Sequence, residues 1–401
     1  MTLLEQILKS STNPQTNSEP QKYPFTLSTQ EIIPLLKPKL DNPDPYSPLQ
    51  PLTGFQISKP DSKLIESNSK FFKKLNRLLK SPNSLSSSSF IEMLNSFLEK
   101  IGEIKFGGLE SLIVKDSAEG EGYSCRLLEK LGSFVGRDVI GLIIEGSFVL
   151  GNWEILKTII VNKLVIDNGV RSDLLYKLVC KGRCDFICLC LRNFTYLESS
   201  DLGMILKCFL SPSKDGCSFI NLVRNDWETE ATNVIEKLSE KKLSGKKLGL
   251  AKEAALLLML AYDQFSSAEL CMHFLLSSSS IDEVVFSSAL SKLNAEEMFG
   301  FIRYLGRWLS KYERFPQVGP CPKGVITLGL SLCQWVPSLE DVVKCFGLVV
   351  DEHFSSLALH SEFHEELKGI EMVVSSLVSE GRLCCSMASL IEVLKPEFEG
   401  A

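Results

Sequence analysis

The 401-residue sequence predicts an all-α protein, an irregular α-solenoid preceded by a disordered proline-rich arm. Three observations lead there. Apolar residues recur at three- and four-residue spacing over most of the chain, the period of one helical face. The helical segments between Arg137 and Leu210 are only about 8–12 residues long, too short to persist in water alone, so neighbours must bury their apolar faces. Strict alternation of apolar and polar residues, the mark of a half-buried strand, is nearly absent. The nearest strand candidates, Gly324–Leu330 and Phe346–Val350, fit helices equally well.

Ten of the seventeen prolines lie between Pro14 and Pro60. Each removes a backbone donor and clashes with the preceding turn. Residues 1–60 are therefore expected to be mostly a disordered Pro/Ser-rich arm, with a short helix at its start. From Asp61 the pattern becomes helical, with Asp61 or Ser62 as a candidate cap before Leu64, Phe71, Phe72, Leu75 and Leu79. Phe90 to Ile101 mark the next helix. Residues 61–135 form an N-terminal helical region and 136–401 a helical scaffold domain.

Within the latter, Trp153–Ile160, Leu174–Val179, Asp185–Leu191 and Asp201–Leu210 are short candidates. Asp226–Lys242, Lys246–Gln264, Ser267–Leu276 and Ile281–Leu293 follow. No strict repeat is visible, so the array is irregular. Lys241, Lys242, Lys246 and Lys247 flank a Ser-Gly break and read as a solvated loop, with a nuclear-import patch as the sharper alternative.

The net charge of −6 argues against a dedicated nucleic-acid grip, so any RNA contact must be local or come through a partner. Thirteen cysteines, an odd number set among Leu, Ile and Phe, read as small buried hydrophobes of a reducing compartment. The longest apolar run, Ala254–Tyr262, is far short of the roughly 20 residues that span a bilayer. A soluble intracellular protein with no membrane contact is expected.

Enzyme motifs fail on spacing. Cys180, Cys184, Cys188 and Cys190 are the densest thiol cluster, but Gly182 looks like a helix stop and apolar neighbours surround the thiols. They read as core. His360-Ser361-Glu362-Phe363-His364 has two histidines at i and i+4, but a zinc protease needs its Glu directly after the first His. Gly245-Lys246 lacks the first glycine and the hydroxyl residue of a phosphate loop, since Glu240 and Lys247 stand there. No enzyme, cofactor, metal site or small-molecule substrate is expected.

Two surfaces remain. Phe363, Leu367, Ile370, Val374 and Leu377 step by four and three, a heptad seam expected to pack within the chain rather than as a homodimeric coiled coil. On the 301–315 helix, Arg303, Arg307, Lys311 and Arg314 form a basic stripe, with Tyr304, Trp308, Tyr312 and Phe315 beside it. Phe301, Leu305 and Leu309 take the buried side. Aromatic and cationic groups side by side can stack on bases and pair with phosphates. The plainer reading makes the aromatics core edge and the arginines solvated rim. Arg303, Tyr304, Arg307, Trp308, Lys311 and Arg314 are the candidate RNA or partner surface.

Three further places stand out. The first is Leu174–Leu191 with its double-Leu and Cys-Leu pattern, continuing to Phe209-Leu210. The second is Phe301-Ile302-Arg303-Tyr304-Leu305. The third is Val336-Pro337-Ser338-Leu339, then Leu348–Phe354 with Asp351-x-His353-Phe354, then the long helix with Leu390-Ile391-Glu392. On these segments, residues 140–395 resemble the helical C-terminal domain of the nucleolar protein 11 family. Full members place a β-propeller before this domain, and no strand-rich region occurs here. The resemblance implies a non-enzymatic scaffold of the small-subunit processome, located in the nucleus and nucleolus. Its partners would be processome proteins, with pre-rRNA contacted directly or indirectly. The alternative is a helical scaffold of a membrane-coat or tethering complex.

Overall fold

A computed structural model of the chain describes residues 58–81, 85–107, 121–212, 216–239, 245–278 and 281–399. The expected arm, its short first helix, and Lys241 and Lys242 lie outside them. Among the described residues the fold is all-α. Sixteen α-helices follow one another; of the strand candidates, Phe346–Val350 is helical throughout and Gly324–Leu330 is helical as far as Leu328.

The first two helices, α1 (Lys59–Leu79) and α2 (Ser87–Phe106), pair through stacked Phe71 and Phe97. The chain enters α1 earlier than expected. Ser58, not Asp61, is the cap, its hydroxyl accepting from Asp61 N. Pro60 sits in the first turn, where its missing N–H is no loss. Next come α3 (Glu121–Leu131), α4 (Arg137–Leu150), α5 (Trp153–Val161), α6 (Asn168–Cys180), α7 (Cys184–Asn193) and α8 (Ser199–Leu210). The expected division at residue 136 is bridged: α1 packs on α4, and Asn68 Oδ1 accepts from Gly136 N at 2.7 Å.

Four longer and shorter helices follow: α9 (Cys217–Ser239), α10 (Lys246–Tyr262), α11 (Ser267–Leu276) and α12 (Glu283–Leu290). The last are α13 (Ala295–Arg314), α14 (Pro322–Leu328), α15 (Leu339–Leu359) and α16 (His364–Glu399). Most helices touch those one to five places away in the chain: α5 on α7, α7 on α9 and α11, α8 on α11 to α13, α13 on α15 and α16. That is the contact pattern of a helical array, and one continuous apolar core runs through it.

Local chemistry places the ends. Ser266 and Glu269 close a capping box at α11, as do Asn294 and Glu297 at α13 and Ser338 and Asp341 at α15. Gly107, Gly151 and Gly182 take positive φ just after α2, α4 and α6. Among the described residues no helix is long and apolar enough to cross a membrane.

Candidate interaction surface

The helix expected to present the basic-aromatic stripe is α13, and it lies too deep to do so. It is covered by α8, α15 and α16 and by the turn between α10 and α11. Phe301, Leu305 and Leu309 are buried, as the period requires, but so are Tyr304, Trp308, Lys311 and Tyr312. The candidate surface of Arg303, Tyr304, Arg307, Trp308, Lys311 and Arg314 is therefore corrected: its two aromatics are core and one of its cations is internal. Only Phe315 of the aromatic stripe reaches solvent, together with Arg303 and Arg314.

The cations that turn inward fasten the array. Lys311 Nζ donates to the carbonyls of Leu260 at 2.8 Å and Asp263 at 2.6 Å, and lies over the Phe265 ring. It thus satisfies open carbonyls at the C-terminal end of α10, where the helix dipole also favours a cation. Burial pushes its pKa down. Arg307 Nη1 donates to Gln264 O at 3.1 Å and pairs with Glu269 at 2.8 Å. Gln264 takes the left-handed conformation with φ 61°, so Arg307 holds a strained turn. Arg303 pairs with Glu366 of α16 at 3.5 Å.

Behind them His273 sits fully buried among Trp227, Phe265, Tyr304 and Trp308. Nε2 lies 3.0 Å from the Ala261 carbonyl, which can only accept, so this nitrogen carries the proton. Nδ1 then accepts from the Tyr304 hydroxyl at 2.8 Å. Burial pushes the His273 pKa down to about 3, so the ring is neutral.

The thiols are also rearranged relative to their sequence order. Cys184, Cys188 and Cys190 are buried, and Cys180 is exposed beyond the Gly182 stop. Their neighbours come from distant helices, with Cys184 Sγ 3.9 Å from Cys208 Sγ and the free Cys188 thiol beside that of Cys271. The Cys208 thiol and then burial push the Cys184 pKa upward, and burial and then the Cys271 thiol do the same for Cys188. No group of three or more His, Cys, Asp or Glu side chains that could hold a metal occurs among the described residues. Nearby, Arg183 stacks at 3.8 Å from the Trp153 ring centre and pairs with Asp185 through two bonds.

His360 and His364 do not share a helical face. His360 ends α15, a 3₁₀ turn spans Ser361–Phe363, and His364 opens α16. Both rings meet backbone carbonyls, of Ser356 and Ala358.

The heptad seam packs within the chain, as expected. Phe363 and Ile370 are buried, and Leu367, Val374 and Leu377 are partly buried against the core. Yet α15 and α16 do not close fully on each other. Between them lies an apolar groove of about 600 Å³, walled by Phe346, Val350, Phe354, Leu357, Leu367 and Val374. Phe354 is 67% exposed. Lys368 and Glu371 stand on the rim. Along this wall α15 bends at His353, whose φ and ψ are −116° and 16°. His353 Nε2 lies 2.9 Å from the Leu290 carbonyl, which fixes the bend. Periodicity located both helices but gave no sign of the bend.

No known protein family matches the chain, and no curated protein matches it.

Proposed function

We propose that this chain is a non-enzymatic helical scaffold of ribosome biogenesis, acting in the nucleolus within the small-subunit processome. One observation carries the scaffold half of the reading. An open apolar groove with a solvent-exposed Phe354 lies between two helices that both pack on α13. Grooves of this kind take the apolar face of an amphipathic helix. The rim charges Lys368 and Glu371 suit an occupant carrying one acidic and one basic residue a turn apart. The processome half rests on the resemblance, whose Leu348–Phe354 segment lines this groove. Pre-rRNA is reached through the protein partners, because the aromatic groups that would have stacked on bases are core.

The test is a tagged pull-down from cells, with and without RNase, read by mass spectrometry and RNA sequencing. Processome subunits with 5′ pre-rRNA are expected, the protein contacts surviving RNase and falling in a Phe354→Glu variant. Coat or tethering proteins without pre-rRNA would replace this reading with the membrane-coat scaffold.

A further inference from the structure

The chain carries 49 acidic and 43 basic residues, yet the stretch Lys59–Lys80 holds seven Lys and Arg against Asp61 and Glu66 alone. All seven cations are exposed. Lys59 and Lys63, Lys70 and Lys74, and Lys73 and Arg77 stand four residues apart, where like charges weaken a helix. The two acids are already engaged, Asp61 with Lys105 and Glu66 with Lys70, each at 2.7 Å. Lys63 and Lys74 have no carboxylate partner among the described residues, and neither has Lys100 of α2. These lysines surround a cavity. Lys63, Lys70 and Lys74 fall on one face of α1, and with Lys100 they line a groove of about 350 Å³ between α1 and α2. Buried Phe71 and Phe97 and half-buried Met93 form its apolar floor, and Glu66 is the one carboxylate in its lining.

We infer that this groove binds an acidic peptide, a protein segment in which Asp or Glu residues are interleaved with apolar side chains. Three features select that occupant. The charge is one-sided, four ammonium groups against one carboxylate that is itself paired, so an anionic partner is complementary. The charge is also spread out. At 1.5 Å per residue, Lys63 and Lys74 lie about 16 Å apart along α1, so the ligand must carry several separated charges, as no single phosphate or carboxylate does. Third, the floor suits apolar side chains and not bases. Phe71 and Phe97 are stacked on each other at 4.0 Å, so neither offers a free ring face for a base to stack on. Among the described residues the groove also has no arginine, whose planar fork grips phosphate through two bonds. A nucleic-acid backbone would find charge here but no seat for its bases. This inference does not depend on the processome reading.

Fluorescence anisotropy of the full chain tests it, with a labelled peptide of three Glu-Glu-Phe-Asp repeats as the probe. Binding should saturate and should weaken as salt is raised, because exposed charges are screened. A neutral peptide of Gln-Gln-Phe-Asn repeats should bind about tenfold more weakly or not at all. The double variant K63E/K74E should weaken binding of the acidic peptide about tenfold or more. Its helical circular-dichroism spectrum should be unchanged, since both side chains are exposed. K252E/K323E, an equal change of charge at exposed positions on α10 and α14, should leave binding intact. An acidic peptide that does not bind overturns the inference. So does binding that K63E/K74E leaves unaltered, or that K252E/K323E weakens as much. A polyuridine oligonucleotide that displaces the peptide and binds more tightly, with the same loss in K63E/K74E, replaces the peptide with RNA.

Discussion

Lys311 donates from Nζ to the carbonyl oxygen of Asp263 at 2.6 Å, joining α13 to the end of α10 across 48 residues of sequence. The same ammonium reaches Leu260, so one cation serves two carbonyls in a place with little water. Lys311→Met keeps the length of the side chain and removes the donor. It should cost roughly 1.5–3 kcal/mol, the range for charge-assisted bonds whose acceptors are left unpaired. Arg303→Ala and Arg314→Ala, at exposed positions, should stay within about 0.5 kcal/mol. Urea unfolding of the three variants decides between an internal fastener and a uniform basic stripe, which would make all three alike.

Acid should find His273. Its folded pKa, about 3, lies below the ordinary 6.5, so the unfolded chain binds the proton first. Stability from this group is complete above pH 6.5 and falls as the pH drops from there towards 3. The slope is about 1.4 kcal/mol per pH unit, or about 2–3 kcal/mol between pH 6.5 and 4.5. His273→Gln should be less stable at pH 7, yet lose less stability over that interval. Chemical denaturation at several pH values would show it. Parallel pH profiles for the two proteins would place the acid sensitivity elsewhere.

Thiol labelling should divide the cysteines by depth. Cys180, Cys384 and Cys385 are exposed and should react in the folded protein. Cys184, Cys188, Cys190, Cys271, Cys333 and Cys345 are buried and should react only after unfolding. Burial pushes the Cys333 thiol up to about 12, so almost no reactive thiolate exists at pH 8. Mass spectrometry of alkylated peptides, with and without urea, reads the result directly.

At Gly306, Ile370 of α16 packs directly against α13. A Cβ there would lie 3.1 Å from both Cδ1 and Cγ1 of Ile370. Gly306→Ala should be absorbed by a small movement of Ile370. Gly306→Leu should lift α16 off α13, costing about 1–3 kcal/mol by overpacking. Hydrogen exchange of the Phe363–Leu377 segment should rise in the leucine variant before global unfolding is affected. Protection equal to that of the parent chain would show that the two helices have slack.

Much of the helical order could be read from local chemistry. Ser266 with Glu269 marks the start of α11, and the expected Ser267–Leu276 span matches the structure. The same reasoning failed at Pro60, because a proline was taken to end structure where it opens a helix. It failed more instructively on α13. A stripe of Tyr304 and Trp308 beside arginines has the period of a surface, but burial on several sides is a property of how many neighbours a helix collects. The acceptors of Lys311 lie 48 and 51 residues away, and the thiol partners of Cys184 and Cys188 are 24 and 83 residues away. No local pattern encodes those distances. The groove was equally hidden, since it lies between two helices set apart in the fold, and one of them carries a non-helical residue inside an otherwise regular apolar repeat.

That residue, His353, joins neighbours on two sides of the groove. Its ring is tethered to the Leu290 carbonyl at the end of α12. The bent segment beyond it, Phe354 to Leu359, shares a wall with the first turns of α16, which are themselves held on α13 through Ile370 and the Arg303–Glu366 pair. Both walls are thus anchored to the array before anything enters, so an occupant meets a preorganised cleft and bears little of the cost of ordering it.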